Sequence, residues 1–225
     1  MTSIPEPLLT QPVGQIAANL PGATGIFRKY DIDFCCHGDA SLQQVADQRG
    51  LDVAPITDAL AALDASAQPE VPHETDALIA HIQTRYHEAH RRQLPELVAL
   101  SRKVEAVHSD HPEVPLGLAE ILQQAIGEME VHMKKEELIL FPAMRRQGAG
   151  ALDVPISQMR HDHDDHGTVL QQIDTLTRAQ TPPGGACRSW QALYAGVAQF
   201  KTDLMEHIHL ENNILFPRFE ATSNA

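Results

Sequence analysis

Apolar residues beyond position 75 recur every three or four positions, which is the spacing of an amphipathic α-helix. Four such stretches follow one another, and turns rich in proline and glycine separate them. They cover about residues 75–108, 116–147, 156–179 and 187–219. Because short turns join long helices, the pattern predicts an up-down-up-down four-helix bundle.

The first 68 residues show a shorter pattern, in which brief amphipathic pieces alternate with helix breakers. Four short helices are predicted here, and no stretch alternates like a β-strand. Ser41 is suited to begin the third of these helices as its N-cap, and Gly50 is suited to end it. Together with the bundle, these helices predict an all-α fold.

The sequence AQPEVPHET separates the two regions and is predicted to be a linker, because it contains two prolines and few apolar residues. We therefore expect a small helical domain at residues 1–68 and a four-helix bundle at residues 69–225.

The composition is that of a globular protein, with 43% hydrophobic and 21% charged residues among 225. No apolar run is long enough to cross a membrane, and the first residues lack the basic and apolar regions of a signal peptide. We therefore expect a soluble, cytoplasmic protein with no membrane partner. A net charge of -13 also argues against nucleic-acid binding, since neutralising phosphates requires a basic surface.

Cysteine and histidine usage adds chemical detail. Three cysteines are too few for a disulfide framework, and two of them, Cys35 and Cys36, are adjacent. This usage fits a reducing compartment. Histidine is in excess, with 13 residues, and all but His37 lie beyond residue 70. The histidines therefore concentrate in the predicted bundle.

One stretch of the bundle occurs twice. Residues 132–142 read HMKKEELILFP and residues 207–217 read HIHLENNILFP, so six residue types recur in the same order 75 positions apart. In each copy the histidine and the glutamate are four positions apart, which places them on one face of a helix. This is a spacing suited to metal ligands.

The repeat extends to the first and third long helices, where two further histidines lie 76 positions apart. The repeated positions supply four imidazoles and two carboxylates: His87, His132, Glu136, His163, His207 and Glu211. Six ligands exceed the need of one small ion, so the set predicts two ions, each held by two histidines and bridged by both glutamates. Such ligands favour iron, manganese or zinc, and carboxylate-bridged pairs in bundle cores favour iron.

Any single one of these histidines is more simply explained as a core or surface residue. Helix packing alone, however, demands apolar residues at such positions and does not account for two matched sets. The neighbouring His90 and His166 are spaced wrongly to stack with the ligands, so we expect them beside the site or in solvent. The apolar ends of the two motifs are expected to pack the core below the metals: Leu140, Phe141, Leu215 and Phe216.

At the two motifs the chain resembles the hemerythrin-like family, four-helix bundles that hold a non-haem di-iron centre. The segment FRKYDIDFCCHG narrows the resemblance to the repair-of-iron-centres proteins, bacterial di-iron proteins linked to recovery of iron–sulfur clusters after nitric oxide or peroxide damage. The resemblance covers nearly the whole chain. It implies the same six ligands and a homodimer formed through the N-terminal domain.

The resemblance also implies roles for residues outside the ligand set. Glu128 and Asp162 correspond to glutamates near the family's channel, which guide iron or protons, although Asp162 is one methylene shorter. Cys35 and Cys36 are either small residues packed in a turn or thiolates stabilised ahead of a helix N-terminus, and the resemblance favours a redox or iron-transfer role. A reversible oxygen carrier is disfavoured, because the third long helix lacks the His-x-x-x-His pair of those hemerythrins.

The six ligands leave room on each iron for an oxo or hydroxo bridge, or for an outside ligand such as nitric oxide. The favoured function is the repair of damaged iron–sulfur proteins by iron donation. The alternative is nitric oxide binding or reduction at the same centre, as a scavenger, a reductase or a sensor. The sequence predicts the metal centre and does not separate these functions.

Overall fold

The computed structural model describes residues 6–64, 71–146 and 152–220, and the regular structure in these ranges is helical without a β-strand. The predicted all-α fold is thereby confirmed. The predicted domain boundary between residues 68 and 69 lies outside the described residues.

Short helices fill the N-terminal region. They are α1 (Glu6–Thr10), α2 (Val13–Asn19), α3 (Ala23–Lys29), α4 (Leu42–Arg49) and α5 (Val53–Ala61). The last four correspond to the four predicted helices. Helix α1 is an additional helix of 5 residues that the hydrophobic pattern does not indicate.

Helix α4 begins and ends at the predicted residues. The hydroxyl of Ser41 accepts a hydrogen bond from the amide of Gln44 at 3.2 Å, and the side chain of Gln44 accepts one from the amide of Ser41 at 2.9 Å. This reciprocal capping satisfies amides that have no partner within the helix. Gly50 follows the last turn with a φ of 64°, a left-handed conformation that glycine adopts without strain.

The long helices α6 to α9 form the bundle, and three of them contain a π turn, a single wider turn that inserts one residue. Helix α6 runs through Thr75–Ile82, the π turn Gln83–His87 and Glu88–Val107. Helix α7 runs through Leu118–Lys135, the π turn Glu136–Leu140 and Phe141–Arg146. Helix α8 is Asp153–Thr177, and α9 comprises Arg188–His209, the π turn Leu210–Leu215 and the 3-10 turn Phe216–Arg218. Each helix packs beside its neighbours in the order α6, α7, α8, α9, and α9 closes against α6.

Two clusters of buried apolar side chains form the core of the bundle. The first cluster includes Leu94, Leu122, Leu170 and Val197, one from each long helix. The second cluster contains the apolar ends of both sequence motifs, as predicted: Leu140, Phe141, Leu215 and Phe216. Each long helix passes from one cluster to the other at its predicted metal ligands, so these ligands lie in a polar layer between two apolar ones.

The N-terminal helices contribute to the first cluster. Val13, Phe27, Ile32 and Phe34 are fully buried in it together with side chains of the bundle. The loop between α3 and α4, which carries Cys35 and Cys36, is therefore held against the bundle. The division of the chain into two domains stays a prediction.

Across the described ranges, no helix is long and apolar enough to cross a membrane.

Candidate metal centre

The six predicted ligands come together in one layer, although four different helices carry them. Helix α6 supplies one, α7 two, α8 one and α9 two. None of the six side chains is more than 2% exposed. Burying charged and polar groups to this degree is costly unless they are paired or coordinate metal ions.

The layer divides into two groups of four candidate ligands, and both groups share the two glutamates. In one group the Nε2 atoms of His87 and His207 lie 3.1 Å apart, and in the other those of His132 and His163 lie 3.2 Å apart. Each pair joins a histidine from the first repeat to one from the second. Two metal ions in this layer would therefore each draw on both halves of the bundle.

Glu136 reaches both groups with its two oxygens. Its Oε2 lies 3.4 Å from Nε2 of His87, and its Oε1 lies 3.3 Å from Nε2 of His132. Neither oxygen has a hydrogen-bond partner among the described residues. A fully buried carboxylate in this state fits a bridge between two cations.

Glu211 repeats this arrangement from the other half of the bundle. Its Oε1 lies 3.2 Å from Nε2 of His207, and its Oε2 lies 3.0 Å from Nε2 of His163. The residues present thus fit a pair of metal ions, each with two imidazole nitrogens and two carboxylate oxygens. Nitrogen and oxygen ligands without a thiolate suit iron, manganese or zinc.

The second ring nitrogen of three of these histidines is held by a side chain on another helix. Such a contact fixes the ring orientation and, with the proton on Nδ1, leaves the Nε2 lone pair free for a metal. The contacts are His87 Nδ1 to Glu137 Oε1 at 2.7 Å, His132 Nδ1 to Asp162 Oδ2 at 3.3 Å, and His163 Nδ1 to Asn212 Oδ1 at 2.9 Å. The Nδ1 atom of His207 is buried and has no partner among the described residues.

Glu137 and Asn212 are functional candidates that the spacing argument missed. Each directly follows the repeated glutamate, and each holds a histidine of the preceding long helix. The sequence does contain a signal for them, because the position after the glutamate is polar in both copies of the motif. A polar residue at this position can be assigned to a histidine only when the neighbouring helix is known.

The pKa values of the ligands in this layer are shifted in both directions. Burial lowers the pKa of His132, but Glu136 and Asp162 outweigh it and raise that pKa to about 10. Burial, together with the proximity of His87, holds the pKa of His207 well below its ordinary value. Burial raises the pKa of Glu136, yet the neighbouring imidazoles lower it overall, so the carboxylate is anionic. Protons on the imidazoles therefore compete with metal ions for the same anionic layer.

His90 and His166 lie beside the site, which is one of the two predicted locations. Both side chains are buried, so neither lies in solvent. The ring of His90 packs 5.4 Å from that of His207, and the ring of His166 packs 5.0 Å from that of His132, measured between centroids. Burial lowers the pKa of His166 to about 3 and that of His90 well below its ordinary value. Both rings are thus neutral neighbours of the ligands.

Glu128 and Asp162 line an open cavity of about 610 Å³ that reaches His132. Asp162 also accepts a hydrogen bond from Lys135 at 2.8 Å, while Glu128 is exposed and accepts one from Gln124 at 2.7 Å. The two residues carried over from the family's channel therefore share one cavity with a predicted metal ligand.

Cys36 contacts α8, the helix that carries His163, and Cys35 contacts α9. The Sγ atom of Cys36 lies 3.4 Å from the main-chain oxygen of His163, and the main-chain oxygen of Cys35 accepts a hydrogen bond from Asn212 at 3.0 Å. Both thiols are free. The hydrogen bond to Cys36, burial and the nearby Asp33 raise the pKa of Cys35 well above its ordinary value. The redox or iron-transfer role of the two cysteines stays a prediction.

A four-helix bundle that buries four histidines and two glutamates in one layer defines the hemerythrin-like class of metal-binding proteins. The model of the hemerythrin HHE cation binding domain matches residues 78–219, and that of a domain of unknown function, DUF542, matches residues 9–64. The chain is 48% identical to the iron-sulfur cluster repair protein YtfE of Musicola paradisiaca over 92% of its length and 94% of the relative's. It is 47% identical to the protein of that name from Citrobacter koseri, and 45% identical to a probable iron-sulfur cluster repair protein of Haemophilus influenzae, each over 92% of this chain and 96% of the relative. The chain therefore belongs to the repair-of-iron-centres family, which confirms the resemblance drawn from its motifs.

Proposed function

We propose that this chain is a di-iron protein that repairs iron–sulfur clusters damaged by nitrosative or oxidative stress, by donating iron to them. One observation supports it above the others: two buried groups of histidines share both carboxylates, in a family whose relatives bear the name of cluster repair proteins. His87, His132, Glu136, His163, His207 and Glu211 would hold the two irons.

When bound between these ligands, the two irons and their expected oxo or hydroxo bridge would supply redox chemistry and exchangeable positions. The chain's own residues orient the ligands and keep water out of the layer. Glu137, Asp162 and Asn212 orient three of the imidazoles, and the two apolar clusters exclude water above and below the layer.

Iron to be donated needs a way out of the bundle. The cavity that reaches His132 is lined by Glu128, Asp162 and Asp165, whose oxygens are suitable transient ligands for Fe²⁺. We assign iron exit to this cavity. The acceptor is a damaged iron–sulfur protein.

The alternative, binding or reduction of nitric oxide at the same centre, is supported by a second cavity. It has a volume of about 230 Å³ and lies between α6 and α7, with Leu94, Ile126, Met129 and Met133 in its lining. It also contains His90, which packs against His207. An apolar passage beside the metal layer suits a small uncharged gas.

The test follows labelled iron. The protein is loaded with ⁵⁷Fe to about two irons per chain and mixed with an acceptor enzyme whose cluster has lost one iron. We expect ⁵⁷Fe in the acceptor and recovery of its activity, even when a chelator that traps free iron is present. A parallel incubation with nitric oxide measures its consumption and the iron retained.

Turnover of nitric oxide with full retention of iron would favour the alternative function. Isolation of the protein with one zinc and no iron would exclude both functions. A homodimer, a cytoplasmic location and a redox or iron-transfer role for Cys35 and Cys36 remain proposals that accompany the main one.

A further inference from the structure

A further group of metal-type ligands lies outside the bundle layer, in the loop between α3 and α4. We propose that Asp33, Cys35 and Cys36 form a second metal site, which binds one thiophilic divalent cation of the Zn²⁺ or Fe²⁺ type. Its ligands differ from those of the bundle, because two are thiolates and one is a carboxylate.

The distances in the loop match tetrahedral coordination. The Sγ atoms of Cys35 and Cys36 lie 3.8 Å apart, and Oδ1 of Asp33 lies 3.4 Å from Sγ of Cys35. Metal–sulfur bonds of about 2.3 Å and metal–oxygen bonds of about 2.0–2.2 Å, at tetrahedral angles, separate two sulfurs by about 3.8 Å and sulfur from oxygen by about 3.5–3.7 Å. All three ligand atoms lie within 4.8 Å of one another, so a small rearrangement of side chains would let them enclose one ion.

Asp33 is held in place for this role. Its Oδ1 accepts hydrogen bonds from the amides of Cys35 at 3.1 Å and Cys36 at 2.9 Å, and its Oδ2 contacts Nδ1 of His37 at 2.7 Å. Burial opposes ionisation of this carboxyl, but the hydrogen bonds from His37 and Cys36 outweigh it and lower its pKa. The carboxylate is thus charged, and a neighbouring histidine orients it in the way that outer groups orient metal ligands.

A cation accounts for this pair of thiols better than free thiol chemistry does. The two Sγ atoms lie 3.8 Å apart in a largely buried loop, so two uncompensated thiolates would repel each other there. A thiophilic ion replaces the thiol protons, which pass to solvent, and offsets the repulsion between two adjacent thiolates.

The loop is open to an incoming ion on two sides. One cavity of about 700 Å³ and another of about 130 Å³ both reach Cys35 and Cys36. Asp39 and Asp164 line the larger cavity and favour entry of a cation. Three protein ligands leave a fourth tetrahedral position for water or for a ligand from an acceptor.

Cation binding at this loop does not depend on the function of the bundle. Only the identity of the physiological ion rests on the proposed function. If the protein donates iron, that ion is the Fe²⁺ that passes to the acceptor.

The test adds Co²⁺ to the reduced, iron-loaded protein without oxygen and records sulfur-to-cobalt charge-transfer absorption. We expect saturation at about one Co²⁺ per chain, loss of the band in Cys35→Ser and Cys36→Ser, and at least tenfold weaker binding in Asp33→Asn. Asparagine keeps the acceptor for the two amides and removes the charge, so it separates a ligand from a turn-forming residue. Cys187→Ser is the matched control, because its thiol contacts His108 elsewhere.

A second measurement needs no substitution. Zn²⁺ should protect Cys35 and Cys36, but not Cys187, from alkylation in the unmodified protein. Absence of both the cobalt band and this protection overturns the site, as does a band that survives both cysteine substitutions. The iron content of the bundle is measured on the same samples, so a failure of the proposed di-iron function is recognised separately.

Discussion

At the scale of single residues, orientation of the ligands depends on side chains that lie across the bundle. Asn212 illustrates this, since its Oδ1 contacts Nδ1 of His163 and its Nδ2 donates to the main-chain oxygen of Cys35. One amide therefore links the cysteine loop to a metal ligand. Its contribution to metal retention can be separated from its contribution to packing.

Asn212→Ala should weaken metal binding by about tenfold to a hundredfold, because His163 loses the contact that fixes its ring. Competition with a chelator of known affinity measures the change. Asn213→Ala is the matched control, because Asn213 donates to the main-chain oxygen of Phe34 in the same loop but contacts no predicted ligand. Equal weakening by both substitutions would show that loop packing, rather than ligand orientation, retains the metal.

The sequence predicted the six ligands and missed Glu137 and Asn212 for a physical reason. Spacing along one helix shows which residues share a face, so His132 and Glu136 could be paired from the sequence. A contact such as Glu137 to His87 joins two helices, and its existence depends on their rotation and height. The rotation and height of one helix relative to another are set by tertiary packing, and no local sequence pattern encodes them.

At the scale of elements, π turns accompany the ligands on three helices. One ends at His87, one begins at Glu136 and one contains Glu211. Each inserts one residue into the helical repeat and is seldom kept without a function. The sequence placed the helices within a few residues of their observed ends but did not indicate the π turns, because one inserted residue shifts the apolar pattern once and leaves the helical spacing on either side unchanged. Pro142 and Pro217, which have no backbone N–H to donate, follow two of these turns.

The two groups should lose metal differently on substitution. His87 belongs to one group, whereas Glu136 belongs to both. We expect His87→Ala to retain about one iron per chain and Glu136→Ala to retain almost none, since losing a shared ligand weakens both positions. Iron analysis of the purified proteins, with circular dichroism as the control for folding, measures this. Equal losses would mean that the two groups bind metal as one unit.

Metal removal should destabilise the π turns first. A ligand present at about one hundred times its Kd adds about 2.7 kcal/mol of stability, so extraction by a chelator should lower Tm by roughly 5–10 °C for a chain of this size. Hydrogen exchange should increase most at residues 83–87, 136–140 and 210–215. Reloading with Fe²⁺ restores both values, whereas an unchanged Tm would indicate that the layer is stable without metal.

At the scale of the whole molecule, the N-terminal helices pack closely against the end of α9. Asn213 donates to the main-chain oxygen of Phe34 at 3.0 Å, and Arg28 forms an ion pair with Glu206. The sequence predicted the helices of both regions but not their shared core, because apolar residues such as Val13 and Phe27 are equally compatible with a core within the N-terminal region alone. Shared burial, rather than any motif, brings the cysteine loop to the metal layer.

Gly14 is the position at which this docking is tightest. A Cβ atom at Gly14 would lie 2.4 Å from Oδ1 of Asn213 and 3.0 Å from the main-chain oxygen of Gly38, so Gly14→Ala must displace the side chain that holds the cysteine loop. We expect a loss of about 1–3 kcal/mol in the free energy of unfolding. Gly25→Ala, in α3, is the control: its Cβ would meet only the end of Arg28 at 3.9 Å, and the change should stabilise the protein by about 0.5–1 kcal/mol. Urea unfolding measures both free energies. If Gly14→Ala does not lower the free energy of unfolding relative to Gly25→Ala, the loop tolerates separation from α9. The cysteines then do not depend on the bundle for their position.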